Sequence, residues 1–227
     1  MEDHFAAILL MAGEGRRFGD ALPKQFHALG SQKIYQHTLQ TFLDSALFQQ
    51  IILVCHPDWI DEVKKEVSSE IQIVAGGATR QASSYLGLQA CHPKTAYVMI
   101  HDAVRPFVTK EILERNKAAV LNHRAVDTCI PSADTLVHAP DKDFIMSIPK
   151  RNQYFRGQTP QTFAYPLICE AHQKTCMTDS TDDCSLVLEL NHPVAVVLGD
   201  ETNIKITTEF DLEMAKFLSC KNSSALT

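Results

Sequence analysis

Several short stretches gather the residues needed to handle a highly charged anion. "LLMAGEGRRFGDALPKQF" (9–26) leaves an apolar run on Gly13, Gly15 and Gly19, then places Arg16, Arg17 and Lys24 within a few residues. Glycines let a backbone adopt positive φ and approach a ligand closely, and a loop of exposed N–H groups forms an anion nest. Backbone donors for phosphate, with Arg and Lys beside them, would offset charge on a phosphorus undergoing substitution. A solvated basic turn would use the same residues. Two familiar nucleotide signatures are missing. The pattern G-x-x-x-x-G-K-[ST] is absent, and the spacing here is G-x-G-x-x-x-G rather than G-x-G-x-x-G. "IILVCHPD" also comes too late, and ends differently, to supply the acidic residue of a dinucleotide fold.

Other stretches share this logic. In "VAGGATRQASS" (74–84), Gly76 and Gly77 permit a tight turn, and Arg80 and Ser83 open a helix. A helix N-terminus favours anions or polar base edges, although a plain strand–helix turn reads the same way. "VMIHDAVRPF" (98–107) ends an apolar strand directly in Asp102. Beside a triphosphate such a carboxylate is a natural partner for magnesium, which keeps water and takes one or two protein oxygens. Arg105 pairing with Asp102 is the structural alternative, and His101 reads as a packing or hydrogen-bonding residue. "IPKRNQYFRGQTPQTF" carries Lys150, Arg151 and Arg156, and "GDETNIKITTEFDL" places Lys205 just after "VAVVL", which reads as a buried strand. "STDDCSLVLE" (180–189) offers two carboxylates at a helix start, where capping by Ser180 or Thr181 is the plain explanation.

The elements that must position these residues follow from hydrophobic patterning. "FAAILLM" (5–11), "IILVC" (51–55), "IQIVA" (71–75) and "AYVMI" (96–100) read as strands buried on both faces of a parallel sheet. Helical spacing lies between them over 33–47, 58–68 and 80–91, with Ile34, Leu39, Phe42 and Leu47 on one broad face. The alternation predicts an α/β fold with a doubly wound, mostly parallel sheet and right-handed crossovers. Ligands in such sheets collect beyond the carboxyl ends of the strands. From 132 to 158 the pattern breaks. Pro140, Asp141, Lys142 and Asp143 separate "TLVH" from "FIMSI", which predicts a protruding β-hairpin arm. The expectation is one domain over 1–220 with a disordered tail, "KNSSALT", over 221–227.

Composition narrows the class. The chain has 227 residues, 45% hydrophobic and 21% charged, as in an ordinary globular protein. Its net charge of −6 argues against general nucleic-acid affinity. No apolar run reaches the roughly 18 residues of a membrane span, and the N-terminal apolar segment is too short for a signal peptide; the expected location is the cytoplasm. None of the seven cysteines forms a C-x-x-C pair, which disfavours a disulfide framework or structural zinc. Cys55 and Cys129 read as small buried hydrophobes.

Taken in order, "MAGEGRRFGDALPKQF", "GGATRQASSYLGL", "HDAVRPF", "GQTPQTF", "TDDCSLV" and "TNIKITTEFDL" resemble the cytidylyltransferases acting on methylerythritol 4-phosphate and on ribitol 5-phosphate. The likeness covers about residues 5 to 217. It implies a Rossmann-like nucleotidyltransferase fold in which Leu10, Met11, Ala12, Gly13, Glu14 and Gly15 wrap the triphosphate of CTP. Gly77, Arg80 and Ser83 would contact the cytidine, and Arg17 and Lys24 would stabilise charge in the transition state. Asp102 would stand near Mg2+ and both substrates. Arg151 and Lys205 would position the acceptor phosphate, with Thr135, Thr159 and Arg105 lining the acceptor site. The arm in such proteins crosses to a second subunit, which implies a homodimer. An acceptor phosphate oxygen attacks the α-phosphorus of CTP and pyrophosphate leaves. That phosphate is already ionised at pH 7, so no general base is needed.

"HRAVDTCIPSADTLVH", "IPKRNQYFRGQTPQTF" and "HDAVRPF" look more like the ribitol phosphate enzymes. "GGATRQASSYLGL" and "TDDCSLVLE" look at least as much like the methylerythritol phosphate enzymes. Met11 stands where many relatives have a smaller residue or proline. Outside the family, a nicotinamide-dependent oxidoreductase is disfavoured by the glycine spacing. A non-catalytic nucleotide-binding module would have no reason to hold Arg17, Lys24, Arg151, Lys205 and Asp102 together.

Overall fold

Seven of the eight residues of the first strand, β1 (His4–Met11), are buried, because it lies between two parallel neighbours and under helices on both faces. The computed structural model describes residues 3–13 and 22–224, with side chains up to 220. Glu14, Gly15, Arg16, Arg17 and Gly19 lie outside the described residues. After β1 come a two-residue hairpin, β2 (Ala28–Leu29) and β3 (Gln32–Lys33), then α1 (Ile34–Ser45), β4 (Gln50–Cys55), α2 (Ile60–Glu66), β5 (Gln72–Ala75), α3 (Arg80–Gln89) and β6 (Thr95–Asp102). The second half runs α4 (Lys110–His123), β7 (Ala125–Pro131), β8 (Phe155–Ala164), α5 (Tyr165–Lys174), α6 (Cys184–Glu189), β9 (Ala195–Leu198) and α7 (Glu209–Ser224).

The main sheet has seven strands in the order β5-β4-β1-β6-β8-β7-β9. All neighbours pair in parallel except β8, which is antiparallel to both β6 and β7. Ile8 sits opposite Ile52 on one side and Ile100 on the other. The chain builds outward from β1 to β4 and β5, then returns to place β6 on the opposite side of β1. The carboxyl ends of β1 and β6 thus flank a topological switch point, where open α/β sheets bind ligands.

Side chains alternate across β1. Ala6, Ile8 and Leu10 join Leu88, Ile168 and Leu186 under α3, α5 and α6. Ala7, Leu9 and Met11 join Phe42, Val63 and Ile112 under α1, α2 and α4. Met11 is accordingly buried in the core, which accounts for a large apolar residue at that point in the loop. The doubly wound, mostly parallel reading is thus met.

Four details differ from expectation. β5 is an edge strand and only half-buried. β9 is the other edge, so "VAVVL" is not a buried strand: Val196 and Leu198 are exposed at 57% and 59%. The arm leaves between β7 and β8, but its pairing shrinks to one antiparallel bridge between His138 and Ser147. With Pro149 directly after it, Pro140 in the turn before it and little core beneath it, "FIMSI" has few ladder partners to keep. Lastly, α7 runs to Ser224, so helix takes up the first four residues of the expected tail, and 225–227 lie outside the described residues.

Candidate active site

A cleft of about 730 Å³ opens where the strands end. Its walls come from Leu10–Gly13 after β1, His56 and Pro57 after β4, Gly76–Arg80 and Ser83 after β5, and Asp102 closing β6. Lys24, Asp179–Thr181 and Lys205 complete the rim. Gln25 sets the first wall: this buried amide donates to the carbonyls of Met11 (2.8 Å) and Gly13 (3.1 Å). Gly13 does not adopt positive φ, and no described atom would crowd a Cβ there.

Gly76 and Gly77 are required for close approach. A Cβ on Gly76 would stand 2.2 Å from Ala12 Cβ, and one on Gly77 would stand 2.6 Å from Ala82 Cβ. The ends of β1 and β5 therefore touch through Gly76. Thr79 caps α3 by accepting from the Ala82 N–H at 3.1 Å. Ser83 accepts from the Gly77 N–H at 3.1 Å and donates to Thr79 O at 2.9 Å, which fixes the glycine turn.

Asp102 is the electrostatic centre. It is almost fully buried, with Lys205 Nζ at 2.8 Å from Oδ2, Arg105 Nε at 3.8 Å from the same oxygen and Arg80 Nε at 3.7 Å from Oδ1. Burial alone would raise its pKa, but Lys205, Arg80 and Arg105 together hold it well below the usual carboxylate range. The carboxylate is therefore ionised at neutral pH.

Behind Asp102 sits a neutral support. Burial pushes His101 down to about 3, so the imidazole is uncharged. Its Nε2 faces the Arg105 carbonyl at 3.3 Å, so that nitrogen carries the proton. Nδ1 then accepts from the Thr159 hydroxyl at 2.9 Å, and the same hydroxyl accepts the Asp102 N–H at 3.1 Å. Asn203 donates to Thr159 O at 2.9 Å, and Gln158 donates to Asp200 O at 2.7 Å, which anchors the Lys205 loop to β8.

The structure brings Leu10, Met11, Ala12, Gly13, Lys24, Gly77, Arg80, Ser83, Asp102 and Lys205 to one cleft. Thr159 and Arg105 stand behind Asp102 instead of on the cleft wall: Thr159 is buried with its hydroxyl engaged, and Arg105 Nη1 donates to Asn203 O at 2.8 Å. Thr135 and Arg151 lie on the arm, exposed, with Arg151 Nη1 donating to Ala133 O at 3.0 Å. Gln25 shapes the site and carried no separate signal, whereas Asp183, one of the two carboxylates before α6, supports Arg80 from behind the cleft. Asp182, not Ser180 or Thr181, caps α6, its carboxylate accepting from the Ser185 N–H at 2.8 Å.

Residues 5–220 match the family described as "IspD: 2-C-methyl-D-erythritol 4-phosphate cytidylyltransferase". A ribitol-5-phosphate cytidylyltransferase of Lactiplantibacillus plantarum is 36% identical over 234 residues, covering 96% of this chain and 99% of that protein. A 2-C-methyl-D-erythritol 4-phosphate cytidylyltransferase of Alkaliphilus oremlandii is 35% identical over 219 residues, covering 93% of each. The crystal structure of a 4-diphosphocytidyl-2C-methyl-D-erythritol synthase from Anaerococcus prevotii superposes with a TM-score of 0.86 at 31% identity, covering 95% of this chain and 96% of that one. Among the described residues, no helix is long and apolar enough to cross a membrane.

Proposed function

This chain belongs to the IspD family of cytidylyltransferases, and on that premise we propose that it transfers CMP from CTP to D-ribitol 5-phosphate, releasing pyrophosphate and forming CDP-ribitol. The observation that carries cytidylyl transfer is the cation-ringed Asp102 at the switch point, facing the Gly76–Arg80 turn across one cleft. The near full-length match to a ribitol-5-phosphate enzyme supports the acceptor. 2-C-methyl-D-erythritol 4-phosphate is the second reading, supported by the family match and the Alkaliphilus relative.

The chemistry sets two anions against each other. Two unit charges 4 Å apart repel by about 4 kcal/mol at an effective dielectric of 20, which equals about a thousandfold in rate. Lys24 and Lys205 line the cleft to offset that repulsion; Arg17, given the same role by its motif, lies outside the described residues. Arg80 and Ser83, at the start of α3, would hold the cytidine. The donor set at Asp102 fits a magnesium ion, since that metal takes few protein oxygens and completes its shell with phosphate and water. The metal would supply charge neutralisation for the triphosphate. Asp102 would hold it, and Lys205, beside that carboxylate, would serve the acceptor phosphate.

The acceptor side draws on a second copy in this proposal. Phe144, Met146 and Ile148 on the arm are exposed at 81%, 69% and 62%, a run of apolar surface that monomers seldom leave uncovered. Arg151 and Thr135 ride on that arm, so a homodimer would deliver them to the partner's cleft. Pyrophosphate release from CTP and Mg2+, with both acceptors side by side, tests the assignment. A kcat/KM at least about tenfold higher for ribitol 5-phosphate is expected; the reverse preference transfers the protein to the second reading, and release with neither overturns both acceptors.

A further inference from the structure

Arg80 is held from behind by a carboxylate that the cleft does not reach. Asp183 is completely buried. Its Oδ2 accepts from Arg80 Nη1 at 2.8 Å, and its Oδ1 accepts from Ser84 Oγ at 2.7 Å and His172 Nε2 at 2.9 Å. Its own N–H donates to Gln161 Oε1 at 2.9 Å. With three side-chain partners on its oxygens and its backbone tied to Gln161, this carboxylate has its orientation fixed. Arg80 therefore bridges two anions: Nη1 is tied to Asp183, while Nε faces Asp102 at 3.7 Å. A planar guanidinium held at two points has its orientation set, and Arg80 lines the cleft in that orientation. Burial works against both charges, yet each partner stabilises the other, Arg80 above its ordinary pKa and Asp183 below.

We propose that Asp183 is a positioning residue for nucleotide binding, acting only through Arg80 and never touching substrate. The inference rests on the cleft being a CTP site. Its physical content is a tug between two carboxylates. Without the Asp183 charge, Arg80 loses the anchor that sets its orientation on the cleft wall. Nucleotide affinity then falls, while the acceptor phosphate, assigned to Arg151 and Lys205, which bond Ala133 and Asp102 and not Asp183, is recognised as before.

A double-mutant cycle tests this. Asp183→Asn, Arg80→Gln and the double variant are compared with the wild type by calorimetric titration of CTP with Mg2+, by the KM for each substrate, and by thermal melting. Asp183→Asn and Arg80→Gln should each weaken CTP binding about tenfold, about 1.4 kcal/mol. The double variant should bind no more weakly than Arg80→Gln, and the acceptor KM of Asp183→Asn should stay within about twofold of wild type. Additive losses, near a hundredfold, or a change in acceptor KM matching that for CTP, overturn the proposal. Where Asp183→Asn fails to fold, Arg80→Lys serves instead: lysine keeps the charge but cannot span both carboxylates, so an undiminished CTP affinity overturns the proposal. A wild type that does not bind CTP refutes the reading of the cleft itself, and the proposal with it.

Discussion

Replacing Gly76 with alanine probes how closely the ends of β1 and β5 must meet. The added Cβ would lie 2.2 Å from Ala12 Cβ, 3.1 Å from Ser83 Oγ and 3.4 Å from Cys55 O. Unstrained carbon–carbon contacts are about 3.5–4.0 Å, so the two segments must part by about 1.5 Å. Neither is a flexible side chain. Ala12 follows a buried strand tethered by Gln25, and Gly76 donates its N–H to Cys55 O at 2.7 Å. Overpacking of this kind costs about 1–3 kcal/mol, or about 4–8 °C in Tm for a chain of this size at the middle of that range. The functional effect should exceed the thermal one, because a displacement of about 1 Å in positioning groups lowers rate by about a hundredfold. Pyrophosphate release at saturating acceptor and varied CTP should show that loss in kcat/KM. Ala12→Gly in the Gly76→Ala background removes the colliding carbon and should recover at least about tenfold. Activity of Gly76→Ala within about threefold of wild type, or a loss that Ala12→Gly does not relieve, refutes the argument.

Lys24→Ala should lower kcat by about a hundredfold or more, with a much smaller change in CTP affinity, as for a preorganised cation acting on transition-state charge; a loss confined to KM contradicts that role. Arg151→Ala should raise the KM for the acceptor about tenfold or more and leave CTP binding intact, and mixing it with an Asp102→Asn chain should restore activity only if the arm reaches the partner's cleft. Asp127, on β7, is raised to about 6 by burial against the hydrogen bonds from Gln161 and Cys129. An unfolded Asp titrates near 3.9, so its stabilising contribution is complete below about pH 4 and is lost as pH rises through about 6. Asp127→Asn keeps an acceptor for Gln161 Nε2 and removes the buried charge. It should stabilise the protein at pH 8 by about 3 kcal/mol, about 6–12 °C, and give no gain at pH 4; equal effects at both pH values contradict the assignment.

The strands that could be read from sequence are those buried on both faces. β1, β4 and β6 form near-continuous apolar runs, and Asp102 could be placed because it ends one of them. β8 was hidden by its own chemistry. It is a central strand, yet its middle reads "GQTPQT", and a proline argues against a central position. Those polar residues are there to bond loops rather than to fill core: Gln158, Thr159 and Gln161 reach Asp200, His101 and Asp183. Asp183 was masked in the same way, because Ser-Thr-Asp-Asp before a helix has the look of a cap, and Asp182 does cap α6. Gln25 had no pattern to betray it, since a single buried amide tying two carbonyls is visible only in three dimensions. The arm was overread for the opposite reason: "TLVH" and "FIMSI" have strand composition, but strand pairing needs a packed face that one chain does not provide.

The antiparallel course of β8 explains how so many loops can be held without adding charge. Its first half enters at the edge where the parallel strands end, so its side chains meet the Asp102 turn, the Asn203–Lys205 loop and the Asp183 loop together. Every one of those ties is an amide, a hydroxyl or a backbone group. A site that must draw two anions together loses ground with each uncompensated carboxylate, and a buried cation without a partner is costly as well. The fold meets both demands by setting its two buried acids, Asp102 and Asp183, each against cations, and by leaving much of the remaining positioning to neutral donors and acceptors on β8.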